Sequence, residues 1–175
     1  IYFPRDYKVQ IVEDGDTIPL KGRDLMVFKI PDHAVGSIVL LDKTKRLLFA
    51  GDELGMPFGK PINTTVDNWA RLMKKLVPYR KDYDAIWCGP GRADDEIVQK
   101  LLDNCNAVLN GEEGIPKANP PFNAWQKTDD EGHLIWKRKL PHPGDGPKDW
   151  TDESQWKRQY GEAPFAIVYD IRKIK

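Results

Sequence analysis

Cysteine and histidine are scarce in this 175-residue chain, two of the first and three of the second. Cys88 and Cys105 lack the short spacing of a metal-binding pair, and two thiols cannot staple a disulfide framework, so both are expected to be reduced. An excess of one charge is missing too, because 27 lysines and arginines face 27 aspartates and glutamates. Zero net charge removes the bulk attraction that a non-specific nucleic-acid binder depends on, which makes polyanions the least expected partners. No run approaches 18 apolar residues, so no membrane-spanning helix is expected. No signal-peptide pattern precedes the first strand, and with reduced thiols this favours a cytoplasmic setting. Internal repeats and low-complexity tracts are absent. The chain opens on Ile1 instead of methionine, from which a processed product or a piece of something longer is expected.

What is present suffices for one domain with its own core. Residues 8–12, 17–20 and 24–30 read as strands, with Glu13-Asp14-Gly15-Asp16 as a turn between the first two. Residues 38–41 and 45–49 form a hairpin around Asp42-Lys43-Thr44. The period then changes. Trp69, Leu72, Met73 and Leu76 share one face of a helix over residues 69–77, capped by Thr64 or Thr65 and ended by Pro78. Residues 84–88 read as a buried strand. After Gly89-Pro90-Gly91-Arg92 a second helix is expected over residues 94–109, with Ile97, Leu101, Leu102, Cys105 and Val108 inward and Gly111 as its stop. Residues 115–156 are rich in proline, glycine and tryptophan and read as a surface extension with one strand at 133–136. Residues 165–171 close the chain as a strand.

The residues that carry chemistry are His33 and Asp52. Each ends an apolar run, and the hairpin between them returns the chain to the end of the sheet from which it left. An imidazole nitrogen and a carboxylate oxygen are donor types that a borderline-soft divalent ion such as zinc accepts. Two donors are not a complete site. The plainer readings are a turn histidine bonded to backbone and a strand-end carboxylate capping a loop. Glu53 is expected to be solvated or to support a ligand. Gly89-Pro90-Gly91-Arg92 ahead of a helix is either an anion site or a tight turn with a surface arginine. His133 and His142 read as structural or exposed. Trp125, Trp136, Trp150 and Trp156 suit packing of the extension better than a substrate pocket.

The order Asp14-Gly15-Asp16, Pro31-Asp32-His33-Ala34-Val35-Gly36-Ser37, then Leu48-Phe49-Ala50-Gly51-Asp52, with the helix, strand and Pro-Gly turn that follow, resembles the second half of a metallo-β-lactamase-fold hydrolase. The resemblance covers residues 9–109. It implies an α+β fold, a metallo-β-lactamase-like αβ/βα sandwich, of which this chain supplies the C-terminal half as a mostly antiparallel sheet with helices on one face. Residues 1–112 would form that half, and residues 113–175 an irregular extension and closing strand packed on the same domain. The resemblance further implies zinc, two ions in the intact protein, with His33 and Asp52 as metal ligands and Asp52 also catalytic. The reaction would be attack of metal-activated water on an ester, lactone, amide or phosphoester of a small-molecule substrate, with Arg92 and Asp32 as substrate contacts.

Two departures and one gap qualify the likeness. Asp32 stands where the family has glycine, and Arg92 follows the Pro-Gly turn where members often have a histidine; an arginine cannot ligate. The family's upstream His-x-His-x-Asp-His run is missing. The isolated chain is therefore expected to be inactive, and a degenerate binding or assembly module is the alternative. Half a sandwich also leaves one sheet face apolar, so an N-terminal half, a partner chain or a second copy is expected to cover it.

Overall fold

The computed structural model describes residues 10–56, 59–117, 126–128, 134–137 and 156–175. Alternating segments build the first sheet. β1 (Thr17–Leu20), β2 (Arg23–Lys29), β3 (Ile38–Asp42) and β4 (Leu47–Gly51) pair antiparallel in chain order. The chain then contributes β5 (Lys60–Pro61) to a second sheet and runs through α1 (Val66–Leu76) before returning as β6 (Ala85–Cys88). That crossover lets β6 lie parallel to β4, which a tight turn cannot achieve. β7 (Gly91–Ala93) turns back along β6 and ends the sheet.

Period-two alternation sends Phe28, Val39, Leu41, Leu48, Ala50 and Ile86 to the helical side, all buried. Against them pack α1, through Trp69, Leu72, Met73 and Leu76, and α2 (Ile97–Leu109), through Ile97, Leu101, Leu102, Cys105 and Val108. Every inward residue expected of the two helices is buried. Burial of each large aliphatic side chain contributes about 1.5–3 kcal/mol. Of the two threonines, Thr65 is the cap: its hydroxyl accepts the Asn68 N–H at 3.1 Å. Asp67 in the first turn and Lys74 and Lys75 in the last suit the helix dipole.

The second sheet holds β8 (Ile115–Pro116), β11 (Lys157–Tyr160), β12 (Ile167–Asp170) and β5, in the order β5-β12-β11-β8. β12 runs parallel to β5, and Ile167 and Tyr169 join the helical core. Lys60 N–H donates to the Ala166 carbonyl at 2.7 Å and Ile62 N–H to that of Val168 at 2.8 Å. β9 (Gln126–Thr128) and β10 (Leu134–Lys137) form a separate pair.

Several boundaries differ from the sequence reading. Residues 8 and 9 lie outside the described residues, and residues 10–12 are not strand, because β1 takes the place beside β2. β4 begins at Leu47 because Arg46 adopts a left-handed φ of 54° that belongs to the turn. α2 begins at Ile97, since Gly91, Arg92 and Ala93 pair with β6 and residues 94–96 must turn the chain. The expected strand at 133–136 is β10, one residue later. His133, His142, Trp125 and Trp150 fall outside the described residues.

The face of the first sheet opposite the helices is apolar and partly bare. Leu40, Phe49 and Trp87 align across β3, β4 and β6, with Phe49 38% and Trp87 47% exposed.

Candidate functional site

The turn that leaves β2 is fixed by its own backbone. Ile30 N–H donates to the Ser37 carbonyl, Ser37 N–H to that of Ala34, and Ala34 N–H to the Ser37 hydroxyl. This closed loop presents His33 at the sheet end. At the same end β4 finishes on Gly51, whose φ of 52° turns the chain outward at Asp52. His33 Nε2 lies 3.6 Å from Asp52 Oδ2, and the two side chains are 47% and 51% exposed. The hairpin thus brings the two candidate ligands together as expected.

Gly89 shapes the far wall. Its N–H donates to the Gly51 carbonyl at 2.8 Å, and a Cβ there would overlap Asp52 Oδ1. Only a residue without a side chain leaves the Asp52 carboxylate where it is. Cys88, next in line, is kept neutral: burial, reinforced by the negative charge of Asp52, pushes its thiol up to about 11. Cys105, deeper in the core, is pushed up to about 12 by burial and, secondarily, by Asp32. Both cysteines are free.

Beneath the exposed pair lies a buried charge cluster. The Lys60 side chain, 1% exposed, places Nζ 3.1 Å from Asp32 Oδ2 and 3.2 Å from Glu53 Oε2. It also stands 4.7 Å from the centre of the Trp69 ring, a cation–π distance. Asp32 Oδ1 accepts from Asn63 N–H at 3.0 Å, Thr64 N–H at 2.9 Å and the Thr64 hydroxyl at 2.8 Å. Asp32 Oδ2 makes no directional hydrogen bond, so its compensation is the ammonium alone. Glu53 Oε1 accepts the His33 N–H at 2.8 Å.

The remaining candidates are placed as follows. Asp32 faces inward, with its carboxylate engaged by Lys60 and the α1 entry loop instead of meeting solvent. Glu53 is buried, not solvated, and its carboxylate accepts the His33 peptide N–H. Arg92 sits on β7 opposite Trp87, and its guanidinium reaches the Asp84 carbonyl at 3.4 Å. Asp84 precedes β6 whereas Gly89 follows it, so Arg92 is directed to the other end of the strand from His33 and Asp52. It is not at a helix start, and the anion-site reading fails with it. Sequence reasoning misses Lys60, because a lysine between glycine and proline in a loop reads as solvated. Its signal is indirect: an acidic residue beside each ligand candidate, both needing a cation if buried.

Among the described residues no three or more histidine, cysteine, aspartate or glutamate side chains are grouped to hold a metal ion. No helix among them is long and apolar enough to cross a membrane.

Comparison with known proteins adds to this geometry. No family model matches the chain. The human acyl-coenzyme A thioesterase MBLAC2 is 44% identical over 54 residues, covering 27% of this chain and 19% of that protein. Its bovine counterpart is 43% identical over 54 residues and the chicken one 42% over 43 residues. The match spans about a fifth of the length of these relatives. Among solved structures, a metallo-beta-lactamase family protein from Thermus thermophilus aligns with a TM-score of 0.42 and 18% identity, over 57% of this chain and 36% of that one. An archaeal metallo-beta-lactamase superfamily protein from Sulfolobus tokodaii aligns with a TM-score of 0.44 and 19% identity, over 62% and 42%. The described sheets and helices have the α+β architecture expected from the sequence, and the likeness to these two solved structures is partial.

Proposed function

We propose that this chain is the C-terminal part of a metal-dependent hydrolase of the metallo-β-lactamase fold, with His33 and Asp52 as its contribution to a zinc site. The observation that carries the reading is the 3.6 Å approach of an imidazole nitrogen to a carboxylate oxygen at an open sheet end. Donors each about 2.0–2.2 Å from one zinc ion lie no more than about 4 Å apart, so this pair fits a shared ion. When bound, such an ion supplies Lewis-acid polarisation of a carbonyl or phosphoryl oxygen and activation of water. Asp52 would hold and orient the ion, and its side chain is half-exposed at the open sheet end. His33 would give the nitrogen ligand, and its peptide is anchored by Glu53.

The rest of the ligand set and the cover for the Leu40–Phe49–Trp87 face are assigned to one missing partner, an N-terminal half of the same sandwich. Two deficits on one sheet, an incomplete site and an uncovered apolar row, are met by a single second half. A second copy of the chain and an unrelated partner are the other outcomes that a mass measurement distinguishes. Acyl thioesters are the first substrates to try, because the relatives are named for that reaction.

The test is thioester hydrolysis by the longest polypeptide that contains this chain, with and without zinc. Asp52→Asn and His33→Ala are each expected to lose more activity than the roughly 10- to 100-fold typical of outer partners of a ligand. Full activity in Asp52→Asn would overturn the reading.

A further inference from the structure

We infer that Lys60 is a positioning residue for the His33–Asp52 pair, acting through the two carboxylates that adjoin them in sequence. This rests on the ion-site reading of that pair. Asp32 precedes His33 and Glu53 follows Asp52, so each ligand-bearing turn carries one inward acid. The Lys60 ammonium spans both, 3.1 Å from one and 3.2 Å from the other. Neither acid lies in a strand, so no ladder of the sheet fixes the distance between the two turns. The His33 N–H bond to Glu53 Oε1 joins the turns directly, and the ammonium adds a second tie, between Asp32 and Glu53.

The connection reaches the ligand in two steps. Glu53 takes the ammonium on Oε2 and the His33 N–H on Oε1. Asp32 takes the ammonium on Oδ2 and uses Oδ1 to hold Asn63 and Thr64 at the entry to α1. One cation therefore ties the histidine turn, the aspartate turn and the first helix together. At 1% exposure it meets no substrate and cannot act as a base toward one. Stability is a weak reason for three buried charges, because apolar groups of the same volume often serve as well. What apolar groups cannot do is hold two carboxylates at a set spacing.

The test uses the full chain labelled with ¹⁵N-histidine and zinc alone as the probe. In the wild type the His33 amide should exchange slowly and the His33 imidazole signal should move on addition of zinc. In Lys60→Met the zinc affinity read from that signal should fall about 10-fold or more, the range that outer partners of ligands command. Leu101→Ala, a core change on α2 that also lowers stability, should leave the affinity within twofold. If Lys60→Met does not fold, Asp32→Asn/Lys60→Met/Glu53→Gln, which has no charge left in this cluster, replaces it with the same expectation. Affinity within twofold of wild type in the folded variant overturns the inference, as does a wild-type His33 amide that exchanges like an unstructured one. Absence of any zinc response at His33 in the wild type refutes the ion-site reading instead. Amide exchange then decides the role of Lys60 alone: a His33 amide as protected in the variant as in the wild type overturns it.

Discussion

His33 and Asp52 differ from Asp32 and Glu53 by one residue each, yet the first two are half-exposed and the second two are buried. The outer pair has the freedom and access that a ligand for an ion or substrate requires. The inner pair has neither, and its charge is balanced by Lys60 within the fold. Adjacent residues in a turn thus divide the work between facing solvent and being held. Loss of an inner group is expected to disturb both turns, and loss of an outer one only what would bind there.

That contrast can be broken most directly by stability measurements. Lys60→Met strands two buried carboxylates and should cost about 3–5 kcal/mol, whereas loss of the exposed His33–Asp52 contact in His33→Ala should cost about 0–1 kcal/mol. Urea unfolding of the two variants checks this, and equal costs would erase the distinction between the layers. A second measurement follows the cysteines. A raised thiol pKa means that the neutral form persists as pH rises, so at pH 8 the thiolate fraction of Cys88, at about 11, should lie roughly 100-fold below that of an unshifted thiol. Alkylation with iodoacetamide should be correspondingly slow for Cys88 and slower still for Cys105, and should accelerate on unfolding. The smallest effect sharpens the outer layer. Gly89→Ala forces the Asp52 carboxylate to move and should cost about 1–3 kcal/mol while shifting the zinc response of His33. An unchanged zinc response would remove Asp52 from the site.

Much of this is legible in the sequence. The faces of α1 and α2 follow from a 3.6-residue period that Trp69, Leu72, Met73 and Leu76 mark plainly. His33 and Asp52 are brought together by a hairpin whose two strands are nearly equal in length. Lys60 was not legible, because burial of a loop lysine depends on β12 pairing with β5 from more than a hundred residues away. Arg92 misled for a related reason: Gly91, Arg92 and Ala93 pair with β6, and that choice of strand over helix start turns the guanidinium away. Residues 10–12 have the alternation of a strand but no free ladder beside β2.

The bond from Lys60 N–H to the Ala166 carbonyl has a bearing on how the molecule is made. A ribosome delivers His33, Asp52 and Glu53 well before Ala166, and contacts of such long sequence separation form late. The peptide that carries the ammonium gains its anchor only when the final strand arrives. A nascent chain therefore displays both outer residues before the brace behind them is locked, and a product cut short before β12 would carry the motif without its support.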